Sequence, residues 1–207
     1  MTDTLDPPKG LHVASTHLAD LGDALDRFGD AADTAVRWGH RLAETLLAGG
    51  RLLATGNGGS AAQAQHFTAE VVGRYRADRP PFSAVALHTE PCALTAIAND
   101  YGIELMFARQ VAAHGRQGDI CVLMSTSGAS GNILAAAHRA RLDGLTVWAM
   151  TGRTPNALAA VADEVLSVDA ATTATVQELH LVAVHLICDA FDQYLGAELP
   201  GPPAGAR

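Results

Sequence analysis

The chain is short of basic charge, of cysteine and of uninterrupted apolar sequence. Only 14 of its 207 residues are Lys or Arg, against 22 Asp or Glu, for a formal charge of -8. Neutralising a phosphate backbone needs concentrated Lys and Arg, so DNA and RNA are excluded as expected ligands. The three cysteines, Cys92, Cys121 and Cys188, are far apart and form no Cys-x-x-Cys pair. They read as small buried residues in a reducing cytosol. No basic segment leads an apolar one at the N-terminus, and no run of about 18 uninterrupted apolar residues exists to span a bilayer. The expectation is a soluble cytoplasmic protein with no membrane partner.

What is present is ordinary globular usage, 48% hydrophobic and 17% charged, in a length that suits one domain. Residues 1–9, with Pro7-Pro8, and residues 198–207, with Pro200, Pro202 and Pro203, read as loose tails. Two helical patterns follow the first tail, at 11–28 (Leu18, Leu21, Leu25, Phe28) and 30–47 (Ala35, Trp38, Leu42, Leu46), with Gly49-Gly50 as the stop. Their apolar stripes must be buried against the later core or another subunit.

From Arg51 short apolar runs alternate with helical stretches. The runs lie at 52–55, 84–87, 120–124, 145–150 and 164–168. The helices are expected near 60–75, 91–112, 130–142, 155–162 and 173–195. Five continuous apolar strands joined by helical crossovers predict an α/β fold, a doubly wound three-layer sandwich on a five-stranded parallel sheet. Residues 10–48 would pack on this 49–197 domain or on a partner subunit. In such folds ligands bind beyond the carboxyl ends of the strands.

Two strand-end loops have matching chemistry, Gly56-Asn57-Gly58-Gly59-Ser60 and Ser125-Thr126-Ser127-Gly128-Ala129-Ser130. Each places small or hydroxyl-bearing residues at the start of a helix, where backbone NH groups and the helix dipole favour an anion. A single such loop is equally an N-capped turn; two at equivalent strand ends suit a phosphate monoester. Neither has the Gly-x-Gly-x-x-Gly or Gly-Lys-Ser/Thr pattern of nucleotide sites, so a small phosphorylated molecule is expected. The basic run Arg74-Tyr75-Arg76-Ala77-Asp78-Arg79 fits either a small phosphate or a solvated loop.

His66 and Glu70 stand at i and i+4 just after the first loop and share a helix face. That spacing suits a metal, a proton shuttle or an ordinary solvated ion pair. In the last helix Gln177 and His185 lie about 80° apart around the axis and two turns along it, while His180 lies off that arc.

Taken in order, Gly56 to Ser60, His66 to Glu70, Gly73 to Tyr75, Leu94 to Gly102, Ser125 to Gly128, Thr151 to Arg153 and Gln177 to His180 with His185 resemble the sugar isomerase (SIS) domain family. Within it the chain is similar to the sedoheptulose 7-phosphate isomerases, also called phosphoheptose isomerases. The resemblance covers about residues 51–194. It implies a zinc ion held by His66, Glu70, Gln177 and His185, with Glu70 and His185 transferring protons. It also implies substrate contacts from Asn57, Gly58, Gly59, Ser60, Glu70, Arg74, Asn99, Asp100, Ser125, Thr126, Ser127, Ser130 and Gln177. The implied assembly is a homotetramer with sites between subunits, and the implied reaction is the first step toward nucleotide-activated heptose.

The chemistry of the residues agrees, since moving a proton between C1 and C2 of a sugar needs a base near both carbons and an acid or Lewis acid at the oxygens. A carboxylate bound to zinc is a weaker base, which sets the two implied roles of Glu70 in tension. Three departures from commoner family members touch the rim of the site: Gln63 where an acidic residue is frequent, Ala129 where Asn is frequent, and Thr175 where an Arg usually precedes Ile-Gln-Glu. Two other readings have different consequences. A non-catalytic SIS tetramer that binds the bacterial replication initiator lacks acid/base residues at the positions of Glu70 and His185, both present here. A sugar-phosphate-sensing module usually accompanies a DNA-binding helix-turn-helix, and the lead-in helices carry no basic recognition surface.

Overall fold

In the computed structural model, residues 9–198 are described; the expected tails at 1–9 and 198–207 lie outside them except for Lys9 and Glu198, which begin α1 and end α8. Two helices, α1 (Lys9–Asp26) and α2 (Gly29–Leu47), lead into β1 (Leu52–Gly56), α3 (Gly59–Val72), β2 (Ala84–Ala86), α4 (Pro91–Tyr101), a 3-10 turn at Ile103–Leu105, α5 (Ala108–His114) and β3 (Ile120–Ser125). The chain continues through α6 (Gly131–Leu142), β4 (Thr146–Thr151), α7 (Ala157–Val161), β5 (Glu164–Ser167) and α8 (Thr173–Glu198). The five strands form one parallel sheet in the order β2-β1-β3-β4-β5, the doubly wound arrangement expected.

Side chains alternate across each strand and fill two cores, which is why the strands read as unbroken apolar runs. On one face Leu52, Val122, Trp148 and Met150 meet Trp38 and Leu42 of α2, Phe67 of α3, and Leu179 and Ile187 of α8. On the other, Leu53, Leu123, Val147 and Ala149 meet Phe107, Val111 of α5, Ile133 of α6 and Leu158 of α7. Trp38 stacks on Trp148 with centroids 4.5 Å apart, and its indole NH donates to Glu164 at 2.9 Å. The segment Thr173–Gly196 of α8 has the length and hydropathy of a membrane span, but more than half of it is buried inside the fold, as befits a core helix.

The expected single helix at 91–112 is instead three pieces. Gly102 has a positive φ of 90°, a conformation glycine adopts without the Cβ penalty. The chain leaves α4 there, makes a 3-10 turn and restarts as α5. The helix expected to reach residue 75 stops at Val72, and in the basic run beyond it Arg74, Arg76 and Asp78 are exposed while Arg79 is not. Arg79 turns inward, almost fully buried, pairing with Asp192 of α8 at 2.8 Å. It also donates to the carbonyls of Glu70 at 2.6 Å and Val71 at 3.0 Å, satisfying the end of α3. The Phe82 and Phe191 rings lie 5.8 and 5.0 Å from its guanidinium. Arg76 pairs with Asp189 of α8 at 2.9 Å.

His180 faces the sheet from α8, fully buried, its Nε2 donating to the Thr151 carbonyl at 3.2 Å. Its Nδ1 has no hydrogen-bond partner. Burial pulls the imidazole down from 6.5 to about 4, against the smaller opposing pull of the carbonyl, so it is neutral at ordinary pH.

Two stability predictions follow from these contacts. Arg79→Ala leaves the Asp192 carboxylate and the α3 carbonyls without their partner and is expected to lower unfolding free energy by about 3 to 5 kcal/mol, measured as a fall in the urea midpoint. For His180, the unfolded state takes up a proton below pH 6.5 that the folded state refuses until about pH 4. The stabilisation is therefore present above pH 6.5 and lost as pH falls through that window, by up to about 3 kcal/mol. His180→Gln is expected to flatten this part of the stability-against-pH curve.

Candidate active site

β1 and β3 are neighbours in register from Leu52↔Ile120 to Gly56↔Met124, yet α3 leaves β1 toward one face and α6 leaves β3 toward the other. A crevice opens between the two departures, the position at which doubly wound sheets bind ligands. Both hydroxyl-rich loops lie at its lips.

The first loop turns at Gly58, whose φ of 54° and ψ of -121° start α3. Gly59 is needed for space: a Cβ there would run into the side-chain amide of Gln177. Ser60 is buried, while Asn57, Gly58 and Gly59 are exposed. In the second loop, Ser125 is buried; its Oγ accepts from the Gly128 NH at 3.2 Å and lies 3.3 Å from Ser130 Oγ. Ser127 Oγ accepts from the Ala129 NH at 3.3 Å. Gly128 has a φ of 62°, and a Cβ there would strike Asn156. The β4 end braces this loop, with the Gly152 NH donating to the Thr126 carbonyl at 3.1 Å and the Leu158 NH to the Gly128 carbonyl at 2.8 Å. Ser125, Thr126, Ser127 and Ser130 are thus held as one hydroxyl-lined turn at the start of α6.

The wall of the crevice is α3 against α8. His66 Nε2 lies 3.3 Å from Glu70 Oε1, one turn along α3, and 3.2 Å from His185 Nε2 on α8. Gln63 donates to the Gln177 carbonyl at 3.2 Å, so this residue ties the two helices together. The four residues expected to surround a metal therefore occupy one seam between two helices more than a hundred residues apart in sequence. Two facing imidazole nitrogens must act as one donor and one acceptor, or both turn their lone pairs to a cation. The ligand atoms of a tetrahedral zinc lie about 3.3 Å from one another at ordinary bond lengths. The His66–Glu70 and His66–His185 separations match that figure, and two imidazoles, a carboxylate and an amide oxygen are donors that zinc accepts. Among the described residues, no three His, Cys, Asp or Glu side chains form a complete metal-ready cluster; the fit is pairwise, with Gln177 lying over Gly59.

Other expected residues are placed differently. Arg74 is exposed on the loop after α3 and donates to the Arg76 carbonyl at 2.9 Å. Asn99 and Asp100 are exposed at the end of α4, Asn99 donating to Asp100 at 2.8 Å. Among the described residues no hydrogen bond joins these three to the strand-end loops.

Three residues not singled out from sequence also stand here. Tyr75 stacks on the His185 ring, centroids 5.6 Å apart, with the Arg76 guanidinium 5.0 Å from the phenol ring. His88, just past β2, has Nδ1 3.5 Å from Thr55 Oγ1 and a buried Nε2 without a partner; burial lowers its pKa. Asn132, in the first turn of α6, pairs with Asn57. Their only sequence signal was position, each lying a few residues from a strand end or a site helix.

Comparison with known proteins agrees with this geometry. The SIS domain family profile matches residues 18–152. A phosphoheptose isomerase of Streptomyces coelicolor is 64% identical over 179 residues, covering 86% of this chain and 78% of that protein. The solved phosphoheptose isomerase of Francisella tularensis superposes with a TM-score of 0.85 at 34% identity, over 90% of this chain and all of that one. That of Neisseria gonorrhoeae gives 0.82 at 38% identity, over 88% and 98%. With its parallel sheet, its paired loops at the β1/β3 crevice and these relatives, the chain belongs to the phosphoheptose isomerases of the SIS domain family.

Proposed function

We propose that this protein converts sedoheptulose 7-phosphate to glycero-manno-heptose 7-phosphate, the first step of nucleotide-activated heptose biosynthesis. The observation that carries the assignment of roles is the convergence of His66, Glu70 and His185 at 3.2 and 3.3 Å beside two hydroxyl-rich loops. Ser125, Thr126, Ser127 and Ser130 hold the phosphate with the amino end of α6, and Asn57, Gly58, Gly59 and Ser60 line the opposite lip.

Glu70 takes a proton from C1 of the ketose while the carbonyl oxygen at C2 gains one, giving the enediol. The proton on the C1 hydroxyl then leaves and C2 is protonated, giving the aldose. His185 serves the oxygens, its ring held between Tyr75 and His66. Glu70 is mostly shielded from solvent. His66, Glu70, Gln177 and His185 would hold zinc, which when bound supplies Lewis acidity to the sugar oxygens.

The assembly we propose is a homotetramer in the cytoplasm with sites shared between subunits. Supporting it, Val13, Leu18 and Leu25 of α1 are exposed, and so are Tyr101, Ile103 and Leu105. The apolar helix α4 has no buried residue. Since α4 carries Asn99 and Asp100, a neighbour covering it would bring those two toward a shared site. All three cysteines are free, in keeping with a reducing compartment.

Glu70→Gln and His185→Ala are each expected to lower turnover of sedoheptulose 7-phosphate by at least about a thousandfold, followed by NMR as loss of C1 and C2 proton exchange in heavy water. Near-normal turnover in both refutes the assigned roles. Gently purified protein is expected to contain about one zinc per chain by elemental analysis, and to lose it when His66 is replaced by Ala; metal-free protein whose activity survives chelation refutes the zinc centre.

A further inference from the structure

The two lips of the crevice are joined by one pair of side chains. Asn57 Nδ2 donates to Asn132 Oδ1 at 3.0 Å, and Asn132 Nδ2 returns a bond to Asn57 Oδ1 at 2.9 Å. Among the described residues this is the only side-chain hydrogen bonding between the loop after β1 and the loop and helix after β3. Asn132 stands in the first turn of α6, a packed helix, whereas Asn57 is exposed on a loop beside two glycines.

A primary amide has two NH donors and an oxygen with two lone pairs. The reciprocal pair uses one donor and one lone pair of each side chain and fixes the plane of both. The Asn132 nitrogen also lies 3.6 Å from Met106 Sδ, so its second donor is directed at the protein. Asn57 retains one NH and one lone pair, held in a set orientation at the lip. That is a donor and acceptor suited to a hydroxyl, which needs both.

We propose that Asn132 is a positioning residue for the isomerase, acting through Asn57 to align a donor and acceptor for a hydroxyl of the sugar phosphate and to hold the two lips in register. The inference rests on the isomerase reading. Asn132 touches no reacting atom; its effect is on binding, through the preorganisation of its partner.

A kinetic cycle on the full chain tests it, with sedoheptulose 7-phosphate as substrate and Asn57→Ala, Asn132→Ala and the double variant compared. Each single change is expected to lower kcat/KM about tenfold, mainly through KM, as the loss of one or two neutral hydrogen bonds would. The double variant is expected to fall within about twofold of Asn57→Ala, because residues acting through one contact do not add. Thermal unfolding is measured alongside, and Asn132→Ser, too short to span the crevice, replaces any alanine variant that does not fold. Unchanged kinetics in Asn132→Ala, or losses that multiply in the double variant, overturn the clasp. Absence of wild-type turnover overturns the isomerase reading itself and the role of Asn132 with it.

Discussion

Everything about this site depends on two adjacent parallel strands sending their helices in opposite directions. β1 and β3 share a register over five residues, so their ends lie side by side. Because α3 and α6 then diverge to opposite faces, their core side chains pack on opposite sides of the sheet. Two helix amino ends converge on the crevice, and their partial positive charge sums there without any lysine or arginine from the loops. An acidic chain can thus still offer an anion a local welcome, because the attraction is built from backbone dipoles and hydroxyls and leaves net charge free to be negative.

Much of this was legible in the residues. Apolar runs with no polar side announced strands covered on both faces, and the glycine-rich and serine-rich loops stood out because they interrupt those runs at equivalent points. His66 and Glu70 shared a face by helical period alone. Illegible were the features that depend on partners distant in sequence. Arg79 was part of a basic run that fitted a small phosphate or a solvated loop equally; only Asp192, two aromatic rings and the open end of α3 make it a buried clamp. Asn132 looked like one polar residue in a helix start until Asn57 was placed opposite it. The break at Gly102 was hidden by an apolar pattern that continues through it, since periodicity records which residues want burial and not whether the backbone between them turns.

Arg79 also shows how stability and chemistry are joined here. Its guanidinium donates directly to the Glu70 carbonyl. The backbone of the expected base is thereby anchored to α8, the helix that carries the expected acid. Cys188 lies on the same helix close to this network, and burial together with the neighbouring Glu70 and Asp192 charges pushes its thiol well up. It stays neutral filling, where a thiolate would compete for any cation.

α8 deserves to be viewed as a ruler. Gln177 over Gly59, His180 under Thr151, His185 against His66, and Asp192 on Arg79 are four separate attachments spaced along one uninterrupted rod. Each residue added or removed between two of them would swing the rest by about 100° and shift them by about 1.5 Å. A helix so indexed tolerates exchanges of side chain but not changes of count. Insertions and deletions are therefore expected to be tolerated only outside these attachment points, since the relative placement of Gln177, His185 and Asp192 is set by the number of residues between them.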